Sequence, residues 1–317
     1  MPHRSDEPIL HAGTIAIIGR PNVGKSTLLN HLVGEKISIT SDKPQTTRLV
    51  VQGIRTRGDT QFVFVDTPGF QKRHNTSLLN RSMNRLVSSY AQSVSVIVWV
   101  LEAERFGEGD EALIELLPPD IPLILVINKM DRVKPRERIA PWLKATAERL
   151  TPTEIVPVSA KHNWQLDTLL DVIEKYLPES PFYYDPSEFT QCSERFLIAE
   201  RLREKIFRSL GDELPYSTSV TVDQYLTEGK LRKIFMTIWV DRASQKGILL
   251  GKDGEKMKRI ATQTREECEK LLGHKLYMNV WVKVKEGWAN RQDLLRELGF
   301  DMELTSPLLK ENDDATH

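Results

Sequence analysis

Short apolar runs alternate with segments of helical periodicity over residues 1–180. The apolar runs predict strands at 14–18, 48–56, 60–65, 94–101, 122–128 and 154–159. Helices are predicted from Lys25 onward and near 76–90, 108–117, 135–149 and 165–177. Strands that are apolar throughout are typical of a parallel sheet covered on both faces, and regular strand–helix alternation builds such a sheet. The pattern therefore predicts an α/β domain over residues 1–180.

The pattern changes after residue 180. Residues 181–191 are rich in proline and turn formers and predict a linker. Beyond it, we predict helices near 196–207, 255–272 and 290–298, strands at 217–225, 231–240 and 276–285, and a glycine-flanked loop at 251–254. The order α-β-β-α-loop-α-β-α predicts a second, smaller α/β domain over residues 192–300. Residues 301–317 are expected to form a polar tail.

Composition limits the partners and the compartment. Lysine and arginine together number 44, as do aspartate and glutamate, so a nucleic-acid surface must be local. Cys192 and Cys268 fit no metal-ligand spacing and indicate a reducing compartment. The polar N-terminus lacks a secretory signal, and the longest apolar runs fall well short of the ~20 residues that cross a bilayer. We expect a cytoplasmic protein, and peripheral membrane attachment stays open.

A phosphate-binding motif follows the first predicted strand. Residues 19–26, GRPNVGKS, fit the pattern G-x-x-x-x-G-K-S between a strand and a helix. The glycines let backbone N–H groups surround phosphates at a helix N-terminus, and Lys25 adds a positive charge for the β- and γ-phosphates. The nucleotide-binding residues predicted in this motif are Gly19, Arg20, Pro21, Asn22, Val23, Gly24, Lys25, Ser26 and Thr27.

A second motif selects the base. Asn128-Lys129-Met130-Asp131 lies at the carboxyl end of a predicted strand, where ligands bind in such sheets. The Asp131 carboxylate can accept hydrogen bonds from N1–H and the 2-amino group of guanine, whereas adenine would leave that charge unpaired. Capping of the next helix is the alternative role for Asp131, but it does not explain the motif's position. The loop expected to reach guanine O6 through a backbone amide contains Ser159, Ala160 and Lys161.

Two segments between these motifs predict a metal site and a γ-phosphate sensor. Asp66-Thr67-Pro68-Gly69 follows a strand, so that Asp66 can hold Mg²⁺ through water and the Gly69 amide can meet the γ-phosphate. Within residues 44–48, PQTTR, we choose Thr47 over Thr46 as the Mg²⁺ ligand, although either could be a simple polar loop residue. With the Ser26 hydroxyl, the predicted metal ligands are Ser26, Thr47 and Asp66. A loop held by γ-phosphate and Mg²⁺ and released on hydrolysis is a switch.

The position after Gly69 is Phe70, which cannot orient water as a glutamine does there in the Ras-type arrangement. We therefore expect slow intrinsic hydrolysis. The feature resembles translation-factor-like GTPases with a hydrophobic residue at this position. In several of those, an asparagine placed like Asn22 helps to bind a K⁺ ion that replaces an arginine finger; the alternative is that Asn22 only shapes the loop. The catalytic candidates are Lys25, Thr47, Asn22 and Gly69.

A candidate RNA-binding turn lies in the second predicted domain. Gly251-Lys252-Asp253-Gly254 separates two predicted helices, and a GxxG turn in that setting clamps about four nucleotides in KH domains. Residues 246–285 hold ten basic and five acidic residues, although a mixed solvated face is the alternative interpretation. Because Asp253 is negative, we expect Lys252 to contact phosphate and Asp253 to face solvent. The predicted RNA-binding residues are Gly251, Lys252, Asp253, Gly254, Lys256, Lys258 and Arg259.

In order, the motifs closely resemble the Era family of bacterial GTPases over about residues 12–300. They comprise GRPNVGKSTLLN, QTTR, DTPGF, NKMD, the Ser159 loop and the GxxG region that leads into LYMNVWVKVKEGWANRQDLLRELGF. The resemblance implies a P-loop NTPase fold, with a Ras-like G domain of the TrmE-Era-EngA type followed by a type II KH domain. It also implies binding to the 3′ end of small-subunit (16S) rRNA, a role in 30S ribosomal subunit maturation and partial association with the inner face of the cell membrane.

The leading hypothesis is a GTP-controlled RNA-binding assembly factor, in which the nucleotide state alters how the KH surface is presented. The alternative is a membrane-associated regulatory G protein whose C-terminal domain binds a protein or a lipid. An ATP-using kinase or ATPase is disfavoured by Asn128–Asp131. We expect a monomer, because no heptad pattern is present, and no DNA partner.

Overall fold

The computed structural model describes residues 8–41, 43, 45–70, 78–134, 136–209, 218–291, 293 and 295. These residues form two compact units. The first unit contains the described residues up to 38 together with 47–70 and 83–191. The second contains those within 39–46, those within 78–82 and those from 192 onward. Among the described residues, no helix is both long enough and apolar enough to span a bilayer.

The first unit is built on a six-stranded sheet with the order β2-β3-β1-β4-β5-β6. Its strands are β1 His11–Ile18, β2 Val51–Arg57, β3 Thr60–Asp66, β4 Val96–Glu102, β5 Leu123–Asn128 and β6 Glu154–Pro157. All neighbouring strands are parallel except β2 and β3, which pair antiparallel. Every residue of β3 and all but the last of β4 are buried, as continuous apolar strands require. The prediction of a mostly parallel α/β sheet is confirmed.

The helices that follow these strands are close to their predicted positions. They are α1 Lys25–Val33, α2 Leu78–Ala91, α3 Glu108–Ile114, α4 Ile139–Leu150 and α5 Leu166–Glu174. The fully buried Trp99 lies in a cluster with residues of β1, β5 and α2. This packing holds the carboxyl ends of the parallel strands in a fixed arrangement.

Residues 181–191 contain no helix or strand, as their composition predicts, yet they are held on the first unit. The buried side chain of Gln61 accepts hydrogen bonds from the amides of Tyr183 (2.9 Å) and Tyr184 (3.0 Å) and donates to the Tyr184 carbonyl (2.8 Å). The Thr190 hydroxyl donates to the carbonyl of Gln52 in β2. A segment predicted as a linker thus runs along β2 and β3, because polar groups far away in sequence satisfy its backbone.

The second unit pairs three helices with a three-stranded sheet of order β7-β8-β9. Its elements are α6 Glu194–Ser209, β7 Thr218–Glu228, β8 Leu231–Val240, α7 Ala243–Leu250, α8 Glu255–Leu272 and β9 Lys275–Val284. β7 and β8 are antiparallel, whereas β8 and β9 are parallel and are connected through α7 and α8. The predicted element order is confirmed up to β9, and most of the helix predicted at 290–298 lies outside the described residues.

We predict that the substitution Gln61→Leu destabilises the first unit by about 1–3 kcal/mol, because it removes three hydrogen bonds that the buried Gln61 side chain makes with the backbone of residues 183 and 184. The measurement is urea unfolding followed by tryptophan fluorescence. Gln191→Leu, at an exposed position at the end of the same segment, serves as the control and should change stability by less than about 0.5 kcal/mol. Equal unfolding midpoints for the two variants would show that Gln61 does not anchor the segment.

Candidate functional site

Four predicted motifs meet at the carboxyl ends of the parallel strands in the first unit. Residues 19–26 join β1 to α1, Asp66–Gly69 follow β3, Asn128–Asp131 follow β5, and Ser159 lies just beyond β6. The side chain of Asn128 connects two of the loops, because its Nδ2 donates to the Val23 carbonyl (2.8 Å) and its Oδ1 accepts from the Ala160 amide (3.0 Å). One polar side chain thus fixes the phosphate loop against the loop after β6.

The loop of residues 19–26 has a backbone that only glycine accommodates at its tightest point. Gly24 has φ 105°, and a Cβ placed there would lie 2.3 Å from Nδ2 of Asn128. Gly24 also forms the N-cap of α1, so the first amides of that helix open toward the loop. Val23 is buried, whereas Asn22, with φ 65°, is exposed. The loop is therefore shaped to surround an anion at a helix N-terminus.

Lys25 and Asp66 form a buried pair of opposite charges beneath this loop. Lys25 Nζ donates to the carbonyls of Gly19 (3.1 Å) and Arg20 (3.0 Å). Burial lowers the pKa of Lys25 to about 8, and the Asp66 carboxylate acts in the opposite direction. Burial also raises the pKa of Asp66, against the effects of Lys25 and of hydrogen bonds from Ser26 and Ser38. A phosphate group near Lys25 would favour its charged form, so the site is electrostatically suited to an anion.

The three predicted metal ligands are brought together. Ser26 Oγ lies 2.7 Å from Asp66 Oδ2 and 2.8 Å from Thr47 Oγ1. Among the described residues, the buried Oδ1 of Asp66 has no hydrogen-bond partner. A set of hydroxyl and carboxylate oxygens with one unsatisfied buried oxygen suits Mg²⁺, which takes oxygen ligands and keeps several waters. Ser26, Thr47 and Asp66 would hold the ion, which would neutralise phosphate charge.

The geometry also separates the two candidate threonines. Both residues are buried, but the Thr46 hydroxyl donates to the Lys43 carbonyl (2.6 Å), whereas the Thr47 hydroxyl faces Ser26. The arrangement therefore supports the choice of Thr47 as the ligand. Ser38 was not predicted, and its hydroxyl donates to Asp66 Oδ2 at 2.9 Å.

The predicted base-recognition residues lie beside the loop of residues 19–26, since Asn128 and Lys129 contact its carbonyls. Asp131 Oδ1 accepts a hydrogen bond from Ser159 Oγ (2.6 Å), which is the main cause of its lowered pKa. The carboxylate is thus charged and fixed, with lone pairs left for donors such as guanine N1–H and its 2-amino group. The Met130 amide donates to the Val158 carbonyl, and Lys161 is exposed beside the site.

Two acidic residues that the sequence did not single out support this site. Glu102, at the end of β4, lies 2.7 Å from Lys129 Nζ, and the same Nζ donates to the Asn22 carbonyl (2.6 Å). Asp110, fully buried, lies 2.5 Å from Nε of Arg20. For Glu102, the sequence feature that could have identified it is its position at the end of an apolar strand. Asp110 had none, because nothing in the sequence relates it to Arg20.

The predicted catalytic positions surround the phosphate end of the site. Gly69 packs against Pro21 so closely that an added Cβ would lie 2.8 Å from the Pro21 nitrogen. The next amide, that of Phe70, donates to the Gly19 carbonyl (3.2 Å), and the Phe70 ring packs against the hydrophobic core. Phe70 is therefore partly buried against the core. The remaining predicted residues flank the site. Thr27 lies in α1, and Thr67 and Pro68 are buried directly after β3.

The GxxG turn in the second unit connects α7 to α8. Gly251 has φ 73°, and a Cβ there would lie 2.7 Å from the Cβ of Lys256. Asp253 is a non-glycine residue in the left-handed region, with φ 51°, and both it and Lys252 are exposed. The first turns of α8 add Lys258 and Arg259, which are also exposed. A tight turn with exposed cations at a helix N-terminus is suited to a phosphate backbone.

The described residues within 39–46 belong to the second unit and are bonded to α6. Glu204, fully buried, accepts hydrogen bonds from the Thr40 amide (3.1 Å) and the Thr40 hydroxyl (3.3 Å). Arg208 donates to the Thr40 carbonyl, and Arg203 donates to the Thr46 carbonyl. The backbone just before Thr47 is therefore fixed by charged side chains of this helix.

We predict that Asp131→Asn weakens GTP binding by about a hundredfold or more, because the amide cannot accept both guanine donors without leaving polar groups unpaired. The same variant should gain affinity for xanthosine triphosphate, whose oxygen at position 2 matches the new donor. Fluorescent-nucleotide titration measures both affinities, and Asp167→Asn in the first turn of α5 is the control. Unchanged preference for GTP would refute the role of Asp131.

Comparison with known proteins agrees with this geometry. Residues 14–129 match the family described as 50S ribosome-binding GTPase, and residues 213–289 match the KH domain. GTPase Era of Nitrosomonas eutropha is 52% identical over 290 residues, covering 92% of this chain and 98% of that protein. Two solved structures each have a TM-score of 0.88 and 35% identity and cover 92% of this chain and 99% of their own. One is a single-residue variant of Aquifex aeolicus Era bound to GDP·AlF4⁻, and the other is Era in complex with MgGDPNP and nucleotides 1506–1542 of 16S ribosomal RNA. The chain therefore belongs to the Era family, whose members are GTP-hydrolysing proteins with a P-loop GTPase domain followed by a KH domain.

Proposed function

We propose that this protein is a GTP-controlled factor that binds the 3′ end of small-subunit rRNA through its KH domain and acts in maturation of the 30S ribosomal subunit. The observation that carries the proposal is the GxxG turn at 251–254, with exposed cations on both sides of its second glycine. The complex of an Era protein with a 16S rRNA fragment supports the choice of ligand. On this proposal, Lys252 contacts phosphate while Asp253 faces solvent.

The two units can communicate through the chain itself. The Thr47 hydroxyl forms a hydrogen bond with Ser26 in the first unit. The carbonyl of the preceding residue, Thr46, accepts a hydrogen bond from Arg203 in the second unit. A change in the γ-phosphate that moves Thr47 must therefore act on a backbone that α6 holds. Order–disorder of such a segment is a common device in nucleotide switches.

We also propose that the protein works in the cytoplasm as a monomer, as the sequence pattern predicts, with a fraction at the inner face of the cell membrane, as the family resemblance implies. A membrane-associated regulator whose C-terminal domain binds a protein or a lipid is the competing function. Sedimentation with vesicles of anionic lipid distinguishes the two functions. If the basic turn at 251–254 binds RNA, added RNA should compete with the vesicles for that turn and reduce the amount of protein that sediments with them.

We predict that native protein loaded with a GTP analogue binds an RNA of the small-subunit 3′ end, and that Lys252→Asp weakens this binding by at least tenfold. The log of the binding constant should fall with the log of salt concentration by about 0.7 per phosphate contacted, and the variant should lower that slope. Fluorescence anisotropy measures both quantities. Lys230→Asp, an equal charge reversal in the exposed turn between β7 and β8, is the control. RNA binding that Lys252→Asp leaves intact would refute the assignment of the turn.

We further propose that a K⁺ ion near Asn22 assists hydrolysis, because the apolar Phe70 ring packs against the core and cannot orient water. The Asn22 backbone is fixed in a left-handed conformation, and Lys129 binds its carbonyl, which positions the residue at the phosphate end of the loop.

The prediction is that K⁺ raises the GTPase rate of the native protein at least tenfold over Na⁺, and that Asn22→Ala removes the difference without loss of GTP affinity. Phosphate release in matched chloride salts measures the rate. Equal rates in K⁺ and Na⁺ would refute the ion, and a general loss of nucleotide affinity in Asn22→Ala would show that the residue only shapes the loop.

A further inference from the structure

The sheet of the second unit has two faces of different character. Along β8, Ile234, Met236 and Ile238 are buried in a cluster with apolar residues of α6, α7 and α8. Because successive side chains of a strand point to opposite faces, the residues between them lie on the opposite face of the sheet. We call this opposite face the outer sheet face; it carries Phe235, Thr237 and Trp239 from β8 and Tyr277, Trp281 and Lys283 from β9.

Three aromatic rings form a continuous platform on the outer sheet face. The Phe235 and Trp281 rings stack with centroids 5.9 Å apart and planes 15° from parallel, and Tyr277 meets Phe235 edge-on at 6.2 Å. Tyr277 and Trp281 are 47% and 45% exposed. Cross-strand aromatic pairs do stabilise a sheet, but that role does not require nearly half of each ring to face water. A contiguous exposed aromatic surface marks an interaction site.

A break in strand pairing adds polar groups to this platform. The register of β7 against β8 shifts between Val222 and Gln224, so Asp223 is an extra residue and lies exposed beside Gln224, the partner of Phe235. Bulges of this kind redirect side chains next to binding sites. The Asp223 carboxylate is fixed by hydrogen bonds from Thr237 Oγ1 (2.7 Å) and Thr221 Oγ1 (3.1 Å). Each of its oxygens keeps a lone pair for a further donor.

Together these residues line an open pocket of about 450 Å³. Its walls are Asp223, Gln224, Phe235, Trp281 and Lys283. The aromatic residues offer a flat apolar surface, Asp223 offers an acceptor, and Gln224 offers both a donor and an acceptor. This combination matches a nucleobase, which has a flat π-face and an edge of N–H and carbonyl groups.

Positive charge continues beside the pocket. Lys283 Nζ and Lys285 Nζ lie 5.5 Å and 4.9 Å from the ring centroid of Trp239, whose Nε1 donates to Thr221 Oγ1. Stacking platforms combined with lysines that follow a phosphate backbone are the usual means of binding single-stranded nucleic acid. The stacked rings would meet the flat face of a base and Asp223 would accept hydrogen bonds from its edge, whereas a lipid headgroup has no flat ring to stack there. The shape and chemistry of the pocket therefore favour RNA as the occupant.

We propose that the outer sheet face is a second RNA-binding surface, which holds an unpaired base against Trp281 beside Phe235 while Lys283 and Lys285 contact its phosphates. The proposal rests on the RNA-binding function given above, but the surface is distinct from the GxxG turn, which connects helices that pack on the other face of the sheet. A KH turn clamps only about four nucleotides, so a longer RNA has free nucleotides to reach this second surface. Because Asp223 accepts hydrogen bonds, a base with an amino group fits better than uracil.

The test compares full-length variants loaded with a GTP analogue for binding to the RNA of the small-subunit 3′ end, by fluorescence anisotropy. Trp281→Ala should weaken binding roughly tenfold, as loss of one stacked base does, while Trp281→Phe should retain most of the affinity. Ile114→Ala, which removes an exposed apolar side chain of α3 in the first unit, is the matched control. Unchanged GTP affinity and circular dichroism would show that each variant is folded.

Cross-linking provides a second readout that does not depend on folding of a variant. Unmodified RNA irradiated with ultraviolet light on the native protein should attach to peptides of β8 and β9 that contain Phe235 or Trp281, identified by mass spectrometry. RNA binding that Lys252→Asp abolishes but Trp281→Ala leaves unchanged, with no cross-link on these strands, would overturn the inference and leave the proposed function standing. Loss in Trp281→Ala with normal binding in Lys252→Asp would support the outer sheet face and overturn the role of the turn. No RNA binding by the native protein would overturn both.

Discussion

Lys25 and Asp66 bring opposite charges into the interior of the first unit, where neither charge would be stable alone. Their attraction, together with hydroxyl hydrogen bonds to Asp66 and carbonyl contacts to Lys25, offsets part of the cost of burial. The compensation is incomplete, since burial still lowers the pKa of Lys25 and raises that of Asp66. A phosphate beside Lys25 and a divalent cation beside Asp66 would complete the compensation for burial. The loops at the strand ends meet around these two side chains, so the site is completed by the ligand that it is suited to bind.

The proposed switch depends on the same charge pair. Thr47 contributes to the oxygen cluster at Ser26, and residues 40 and 46, a few positions earlier, are held by charged side chains of α6. Glu204 is fully buried, so its hydrogen bonds to Thr40 are costly to break without a replacement. A segment anchored at both ends has few ways to respond to a change at one of them. On the proposed function, loss of the γ-phosphate would therefore alter the backbone that α6 contacts.

The sequence predicted best those features that depend on local chemistry at the end of a strand or helix. α8 begins and ends at the predicted residues because Gly254 and Gly273 adopt left-handed conformations at its two caps. The phosphate loop and Asn128–Asp131 were predicted for a similar reason, because each is a short motif at the end of a strand. In contrast, Ser38 and Asp110 are ordinary polar residues until folding brings them to their partners, Asp66 and Arg20. Gln61 likewise anchors residues 183 and 184 from a distant strand, which no local pattern indicates.

The most direct test of the central claim is the ratio of RNA affinities with a GTP analogue and with GDP, measured for the native protein and for Arg203→Ala. Arg201→Ala is the matched control, because that equally buried side chain of α6 forms its ion pair with Glu267 on α8. We predict that the native protein and the control bind RNA more tightly with the GTP analogue, and that the ratio falls to about one in Arg203→Ala while GTP still binds. An unchanged ratio in Arg203→Ala, or equal affinities in both states of the native protein, would contradict the account.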